Sequence, residues 1–262
     1  MASSNDSIKQ TLLIALSLCV VCSILVSGAA VILKPAQDAN KLLDRNKNIL
    51  SAAGLFDPEV HSDADVAQLF AQFTPRIVDL EQGRLLSEAE TDQLGIDLST
   101  YDPRRAVNDP RYSRALSAAQ DVANIKRQLL YPMVYVVGSE DDVEQIVLPI
   151  NGYGLWGILY GFLALEGDGN TVDGIGFYEL KETPGLGAEV TNPRWRNQWP
   201  GKKIYAASGD VALDVVRGSG SGPSQISGLA GATLTSRGVE NLIQFWMGEN
   251  GFGPFLQNLR NS

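Results

Sequence analysis

The chain has little histidine, little cysteine and no surplus of positive charge, and each shortage removes a class of function. Its one histidine, His61, lies in an acidic segment, so a histidine-rich metal site cannot be assembled and metal chemistry outside the apolar segment would have to rely on carboxylates. Both cysteines, Cys19 and Cys22, fall in one apolar stretch, leaving the rest of the chain free of thiols, which fits an oxidising compartment. With a net charge of -9 and a pI near 4.7, the basic footprint that nucleic-acid backbones require is missing. Nucleotide cradles are missing too. No lysine follows the Gly218-Ser-Gly-Ser-Gly-Pro-Ser224 run, which reads as a flexible loop, and Gly185-Leu-Gly187 lacks a dinucleotide fingerprint.

What is present first is a hydrophobic run. Thr11 to Leu33 gives 23 residues without a charge, rich in Leu, Val, Ile and Ala. At about 1.5 Å of rise per residue it can cross a hydrocarbon core of about 30 Å with some tilt. It exceeds the apolar part of a cleaved signal peptide, about 7–15 residues, so an uncleaved anchor is expected. Lys9 precedes the run, and Lys34, Lys41, Arg45 and Lys47 follow it. Counted alone, that asymmetry would keep the following domain cytoplasmic, but large domains translocate against it. Cys19 and Cys22 read as small apolar packing residues, with ligation of an intersubunit cluster as the alternative.

The expected organisation is a short tail (1–10), a transmembrane helix (11–33), a helical and irregular membrane-proximal region (34–125) and a core domain (126–262). Ala39, Leu42, Leu43, Ile49 and Leu50 recur at helical spacing and predict a helix ended by Gly54. A short helix is expected around Asp65–Phe73, then a strand over Arg76–Leu80 with a turn at Gln82-Gly83. Ser87 to Arg111 is polar and weakly periodic and reads as a surface excursion. Met133–Val137 and Gln145–Ile150 form a hairpin signal across Gly138–Asp142. Further strands are expected at Ile158–Leu165, Thr171–Leu180, Lys203–Ala206 and Val211–Arg217. Strands dominate the middle and helices the ends, so the fold class is α+β: a transmembrane helix, then a domain with a twisted, largely antiparallel sheet flanked by helices.

The chemistry concentrates in Ser227-Gly-Leu-Ala-Gly-Ala-Thr-Leu-Thr-Ser236. Gly228 and Gly231 allow unusual backbone angles, and Ala230 and Ala232 leave space for a bulky group. A hydroxyl there can supply an ester oxygen beside helix N–H groups that stabilise a phosphate. Thr235 or Ser236 is expected to cap a helix beginning near Arg237, whose core face carries Val239, Leu242, Ile243 and Trp246. By residue chemistry alone a plain Gly/Ala-rich turn into a capped helix remains the alternative. Glu182-Thr-Pro-Gly-Leu-Gly187 reads as a tight turn in which Pro184 sets φ and a glycine takes positive φ. Trp156 suits either core or a ligand wall, and Trp195 and Trp199 are assigned to packing. No acid, base or nucleophile for turnover is apparent.

Gly228-Leu229 with Gly231-Ala-Thr-Leu-Thr-Ser236 resembles the flavinylation motif of the FMN-binding domains in the C subunit of the Na+-translocating NADH:quinone reductase and in the related Rnf flavoprotein. Gly152-Tyr-Gly-Leu-Trp156, Tyr160-Gly-Phe-Leu163, Glu182–Gly187 and Phe245–Phe255 extend the likeness, in order, over nearly the whole chain. The ending Gly251-Phe-Gly-Pro-Phe255 favours the reductase over its Rnf counterpart. One departure stands out: the family motif usually opens with aspartate, and here that position is Ser227.

The resemblance implies FMN covalently attached through its phosphate to Thr233. Gly231, Ala232, Leu234, Thr235, Ser236, Glu182, Thr183, Leu186, Gly187 and Trp156 would border the flavin, with Thr183 and backbone amides at the ring edge and Leu186 on its face. It further implies an electron-transfer subunit of a respiratory complex that oxidises NADH, reduces quinone and pumps Na+, with no complete active site of its own. Its partners would be the other subunits, a flavin transferase during maturation, and the bacterial inner membrane, with the domain on the periplasmic side. The runners-up are an Rnf-type flavoprotein and an anchored assembly module without flavin.

Overall fold

The computed structural model describes residues 8–139 and 142–261; residues 1–7 of the tail and 140–141 of the Gly138–Asp142 turn lie outside the described residues. Two compact units appear, Met1–Arg45 and Asn46–Ser262. Helix α1 (Ile8–Ala52) begins in the first and ends in the second, and Pro35 lies inside it. Its apolar part has a mean hydropathy of 2.6 over an 18-residue window, long and apolar enough to cross a membrane. Cys19 and Cys22 lie on this exposed stretch. Within the second unit Ile49, Leu50 and Ala52 are buried, and Gly54 at φ +71° closes the helix as expected.

The rest of the second unit is built around a six-stranded antiparallel sheet. In chain order come α2 (Val66–Phe70), β1 (Thr74–Asp79), β2 (Arg84–Leu85), α3 (Glu88–Gln93), α4 (Pro103–Ala106), β3 (Ser113–Ala115) and β4 (Arg127–Leu129). Then follow β5 (Met133–Gly138), β6 (Val143–Tyr153), β7 (Ile158–Glu166), β8 (Val172–Glu179), a 3-10 turn (Gly187–Thr191), α5 (Pro193–Arg196), β9 (Asp214–Val216), β10 (Gln225–Ser227), α6 (Thr233–Met247) and α7 (Gly253–Asn261). The sheet order is β2-β1-β5-β6-β7-β8, while β3 pairs with β4, and β9 with β10 in parallel. The antiparallel α+β expectation is borne out.

Several local expectations change. Ser87–Arg111, read as a surface excursion, carries the short helices α3 and α4: Ser87 accepts from the Glu90 N–H while the Glu90 side chain accepts from the Ser87 N–H, a reciprocal cap that starts α3 without an apolar stripe. Lys203–Ala206 makes only isolated bridges, Thr171 with Lys203 and Tyr205 with Val211, because Ile204 and Tyr205 are buried in irregular core rather than in a ladder.

One face of the sheet carries α6. Val239, Leu242, Ile243 and Trp246 are all buried, each contributing about 1.5–3 kcal/mol of burial free energy. The Trp246 indole N–H donates to the Asn151 carbonyl at 2.7 Å, pinning the helix to β6. Two glycines set the closeness of this packing. A Cβ on Gly238 would stand 2.5 Å from the Tyr153 carbonyl oxygen, and one on Gly152 would stand 2.5 Å from Leu242 Cβ. In an isolated helix Gly238→Ala would stabilise by about 1 kcal/mol. Here the added methyl meets backbone, so we expect destabilisation of about 1–3 kcal/mol, a reversal of sign readable by urea unfolding of the detergent-solubilised chain.

Candidate functional site

The site forms where α6 begins, beside the β6–β7 turn and the loop after β8. Strands β6 and β7 pair up to Tyr153 and Ile158, so Gly154-Leu-Trp-Gly157 is a tight connection, closed by the Gly154 N–H donating to the Gly157 carbonyl at 2.8 Å. After β8, the Leu186 N–H donates to the Thr183 carbonyl at 3.1 Å, with Gly185 at φ +75° after Pro184. This is the expected turn: proline presets one central residue and glycine takes the left-handed one. Gly231, also at φ +75°, brings the segment before α6 close enough to Leu186 that a Cβ would lie 3.2 Å from Leu186 Cδ2.

Helix α6 starts at Thr233, four residues before the expected Arg237, and its N-cap is Ala232, which has no capping side chain. Thr235 and Ser236 therefore do not cap it. Ser236 Oγ donates back to the Ala232 carbonyl at 3.0 Å and accepts from the Leu229 N–H at 2.9 Å, fastening the preceding turn from inside the first helical turn. Thr235 Oγ1 donates to Glu182 Oε2 at 2.6 Å, and Glu182 Oε1 accepts from the N–H groups of Leu155 and Trp156 at 2.8 and 3.0 Å. Leading N–H groups of an α-helix have no intrahelical acceptor, and here no side chain caps them, so this end is suited to an anion.

Burial sorts the sequence-derived residues into two groups. Thr233, Leu234, Gly231, Thr183, Leu186 and Trp156 are at the surface. Ala232, Thr235, Ser236, Glu182 and Gly187 are buried beneath them. Trp156 is 64% exposed, which removes the core reading for it, whereas Trp195 and Trp199 are packed edge to face inside. Leu155, Leu186 and Leu234, exposed by 37, 44 and 56%, join Trp156 as an apolar surface at the same end of the domain.

Thr233 also lines a cleft of about 910 Å³ together with Arg217, Ser219, Gly228, Arg237 and Glu240. Burial and the nearby Asp214 push the Glu240 carboxyl above its ordinary value. Arg217 and Arg237 give this cleft its cations, and sequence reasoning missed both. Arg237 was findable, since it lies four residues after Thr233 and so shares its helix face once the helix starts at Thr233. Leu155 was missed as well, although it sits beside Trp156 in the same short turn. Ser227, at the position of the motif aspartate, accepts from the Gly220 N–H with Oγ at 3.0 Å, while its own N–H donates to Gln198 Oε1 at 3.0 Å. His61 is elsewhere, stacked on Phe56 and accepting from the Asp57 N–H. The hydroxyl and carboxylate that pair here, Thr235 and Glu182, are both buried beneath the surface residues. What the site offers is an exposed hydroxyl at an uncapped helix start, with apolar side chains nearby and a cleft whose charged groups are of both signs, Arg217 and Arg237 with Asp214 and Glu240.

The class is given by the FMN-binding domain family, which matches residues 154–248 of this α+β domain and so takes in the β6–β7 turn, the loop after β8 and the start of α6. The C subunit of the Na(+)-translocating NADH-quinone reductase from Pseudomonas aeruginosa is 50% identical over 264 residues, covering 98% of each chain. Its Vibrio alginolyticus counterpart is 46% identical, covering all of this chain and 98% of its own. A crystal structure of Shewanella oneidensis NqrC superposes with a TM-score of 0.74 at 31% identity, over 85% of this chain and all of that one. At 24% identity and a TM-score of 0.64, a crystal structure of the same reductase component from Parabacteroides distasonis shares the fold, over 86% of this chain and 96% of that one. The chain belongs to the NqrC family, the C subunits of the Na+-translocating NADH-quinone reductases.

Of the four tryptophans only Trp156 is open to solvent. Iodide should therefore quench one component of the emission of the flavin-free chain, and Trp156→Phe should remove that component while leaving the buried emission unchanged.

Proposed function

We propose that the chain is the FMN-carrying electron-transfer subunit of a membrane complex that oxidises NADH, reduces quinone and moves Na+, with the flavin attached through its phosphate to Thr233. The observation that carries the attachment is the separation of three neighbouring hydroxyls. Thr235 is fully buried and bonded to Glu182, and Ser236 is buried and bonded on both sides, whereas Thr233 alone is exposed. A flavin transferase reaching this segment meets one exposed hydroxyl: its oxygen would attack the flavin-side phosphorus of a flavin dinucleotide, the P–O bond of the pyrophosphate would break with the nucleoside monophosphate leaving, and the hydroxyl proton would be lost as the phosphodiester forms.

The residues present fit the group. Uncapped N–H groups of the first α6 turn and the helix dipole stabilise a phosphate at Thr233, with Arg217 and Arg237 adding positive charge in the adjoining cleft. Leu155, Trp156, Leu186 and Leu234 give an apolar surface for a planar ring, and exposed Thr183 lies on the loop beside it. When bound, FMN supplies the electron chemistry; the protein attaches it, orients it and sets its electrostatics. The family resemblance implies that NADH, quinone and Na+ are handled by other subunits, in keeping with the weak Gly185-Leu-Gly187, which is not a dinucleotide fingerprint.

The span in α1 supports a single-pass arrangement, and the family resemblance implies the bacterial inner membrane with the domain on the periplasmic side. The Rnf-type alternative is disfavoured by the reductase relatives, which match this chain nearly end to end.

Intact-mass and in-gel fluorescence analysis of the chain matured with its transferase should show one flavin nucleotide on wild type and Thr233→Ser, and none on Thr233→Val. An undiminished flavin adduct on Thr233→Val would end the assignment. Sidedness is separately readable: with Cys19 and Cys22 replaced, Ser208→Cys on an exposed loop should react with an impermeant maleimide added to intact cells whose outer membrane has been opened.

A further inference from the structure

Glu182 stands out once the surface groups have been given roles. It is 7% exposed, and it takes hydrogen bonds from three donors in two separate elements. Oε1 accepts from the Leu155 and Trp156 N–H groups in the β6–β7 turn, and Oε2 accepts from Thr235 Oγ1 in the first turn of α6. Two glycines make room for it. A Cβ on Gly154 would fall 2.5 Å from Glu182 Oε1, and one on Gly187 would fall 2.4 Å from Oε2 and 2.5 Å from Thr235 Oγ1. The space around the carboxylate is thus emptied of side chains on two sides, from two different loops. A buried carboxylate with three donors is held by charge-assisted bonds, stronger than neutral ones, and removal of the carboxylate leaves those buried donors unmet.

We propose that Glu182 is a positioning residue that fixes the flavin-bearing surface: it locks the Trp156 turn and the Thr233 helix start into one rigid platform from below and places a fixed negative charge under it. The proposal rests on the flavin reading above. It assigns to Glu182 no direct contact with the ring, because its side chain is spent on Leu155, Trp156 and Thr235. Two consequences follow. Without the tie, the wall at Trp156 and the acceptor hydroxyl at Thr233 lose their fixed relation, so attachment slows. Without the charge, an electron added above the platform is opposed less, so the flavin is reduced more readily.

The test uses the full-length chain in detergent, before and after maturation with the transferase. In the unmodified chain, Glu182→Ala should speed hydrogen exchange at the Leu155 and Trp156 amides about tenfold or more, with β6 and β7 core amides unchanged. Thr235→Val, which keeps the shape and removes one donor, should leave those two amides protected but lower the initial rate of flavin attachment. Glu182→Gln retains acceptor and shape, so it should restore attachment relative to Glu182→Ala while moving the flavin's midpoint potential to a more positive value. A purely structural role would not produce that last shift. Wild-type attachment rates in Thr235→Val, together with an unmoved potential in Glu182→Gln, would overturn the proposal, and both variants remain informative if Glu182→Ala does not fold. A wild-type chain that acquires no flavin would instead refute the underlying attachment, and the exchange measurement would still decide whether the tie exists.

Discussion

The arrangement depends on how closely the first turns of α6 approach the end of the sheet. Gly238 lies against the Tyr153 carbonyl, and Gly152 lies under Leu242, so helix and strand meet nearly backbone to backbone. That contact brings the start of α6 beside the β6–β7 turn, which continues directly from Tyr153. Side chains at either glycine would push the helix outward, and Thr235 would be drawn away from Glu182. Local helix propensity is given up at Gly238 in exchange for this placement, a conflict of the kind expected where a site is being positioned.

The same placement separates hydroxyl groups that sequence alone leaves equivalent. Thr233, Thr235 and Ser236 sit within one turn, each with an oxygen capable of ester formation. Helical geometry turns Thr235 away from Thr233 but leaves Ser236 near the same face, and packing decides what each hydroxyl meets. Thr235 faces Glu182, Ser236 turns back to the Ala232 carbonyl and the Leu229 N–H, and Thr233 is left on the surface. Selectivity among them needs no discrimination of hydroxyl chemistry by a modifying enzyme, because two are already used inside the protein.

Most of the sheet was legible in the chain. β-branched and apolar runs at 133–137, 145–150, 158–165 and 171–180 became β5 to β8, since such runs between turn residues have few other stable outcomes. The proline–glycine turn at 184–185 was legible for the same reason, each residue being restricted to few backbone angles. What escaped depended on partners distant in sequence. Ser236 looks like a cap, but its bonds to Leu229 and Ala232 make it an internal clasp, and this moves the helix start to Thr233. The place of Arg237 in the cleft followed from that same start, whereas Arg217 reaches it from the end of β9. Glu182 read as a loop residue near a ligand, whereas its three partners lie 26, 27 and 53 residues away, beyond any local pattern. The capping box at Ser87 was in the sequence, yet without an apolar stripe beside it α3 gave no periodic signal.

The surface around Thr233 has two characters, and the ligand it suits must have both. On one side lie Leu155, Trp156, Leu186 and Leu234, apolar groups whose joint exposure is uncommon on a solvated surface and marks a place to be covered. Around Thr233 on the cleft side lie Ser219, the cations Arg217 and Arg237, and the carboxyl groups Asp214 and Glu240, a polar and charged lining. A wholly apolar ligand would leave the cations and the helix N–H groups unanswered, and a bare phosphate would leave Trp156 in water. FMN is planar and largely apolar at one end and anionic at the other, and the proposed covalent link at Thr233 would fix its charged end where the helix dipole favours it. Such a carrier would require no catalytic base. Attachment would be done once, by another protein, and afterwards the domain would need only to hold one orientation.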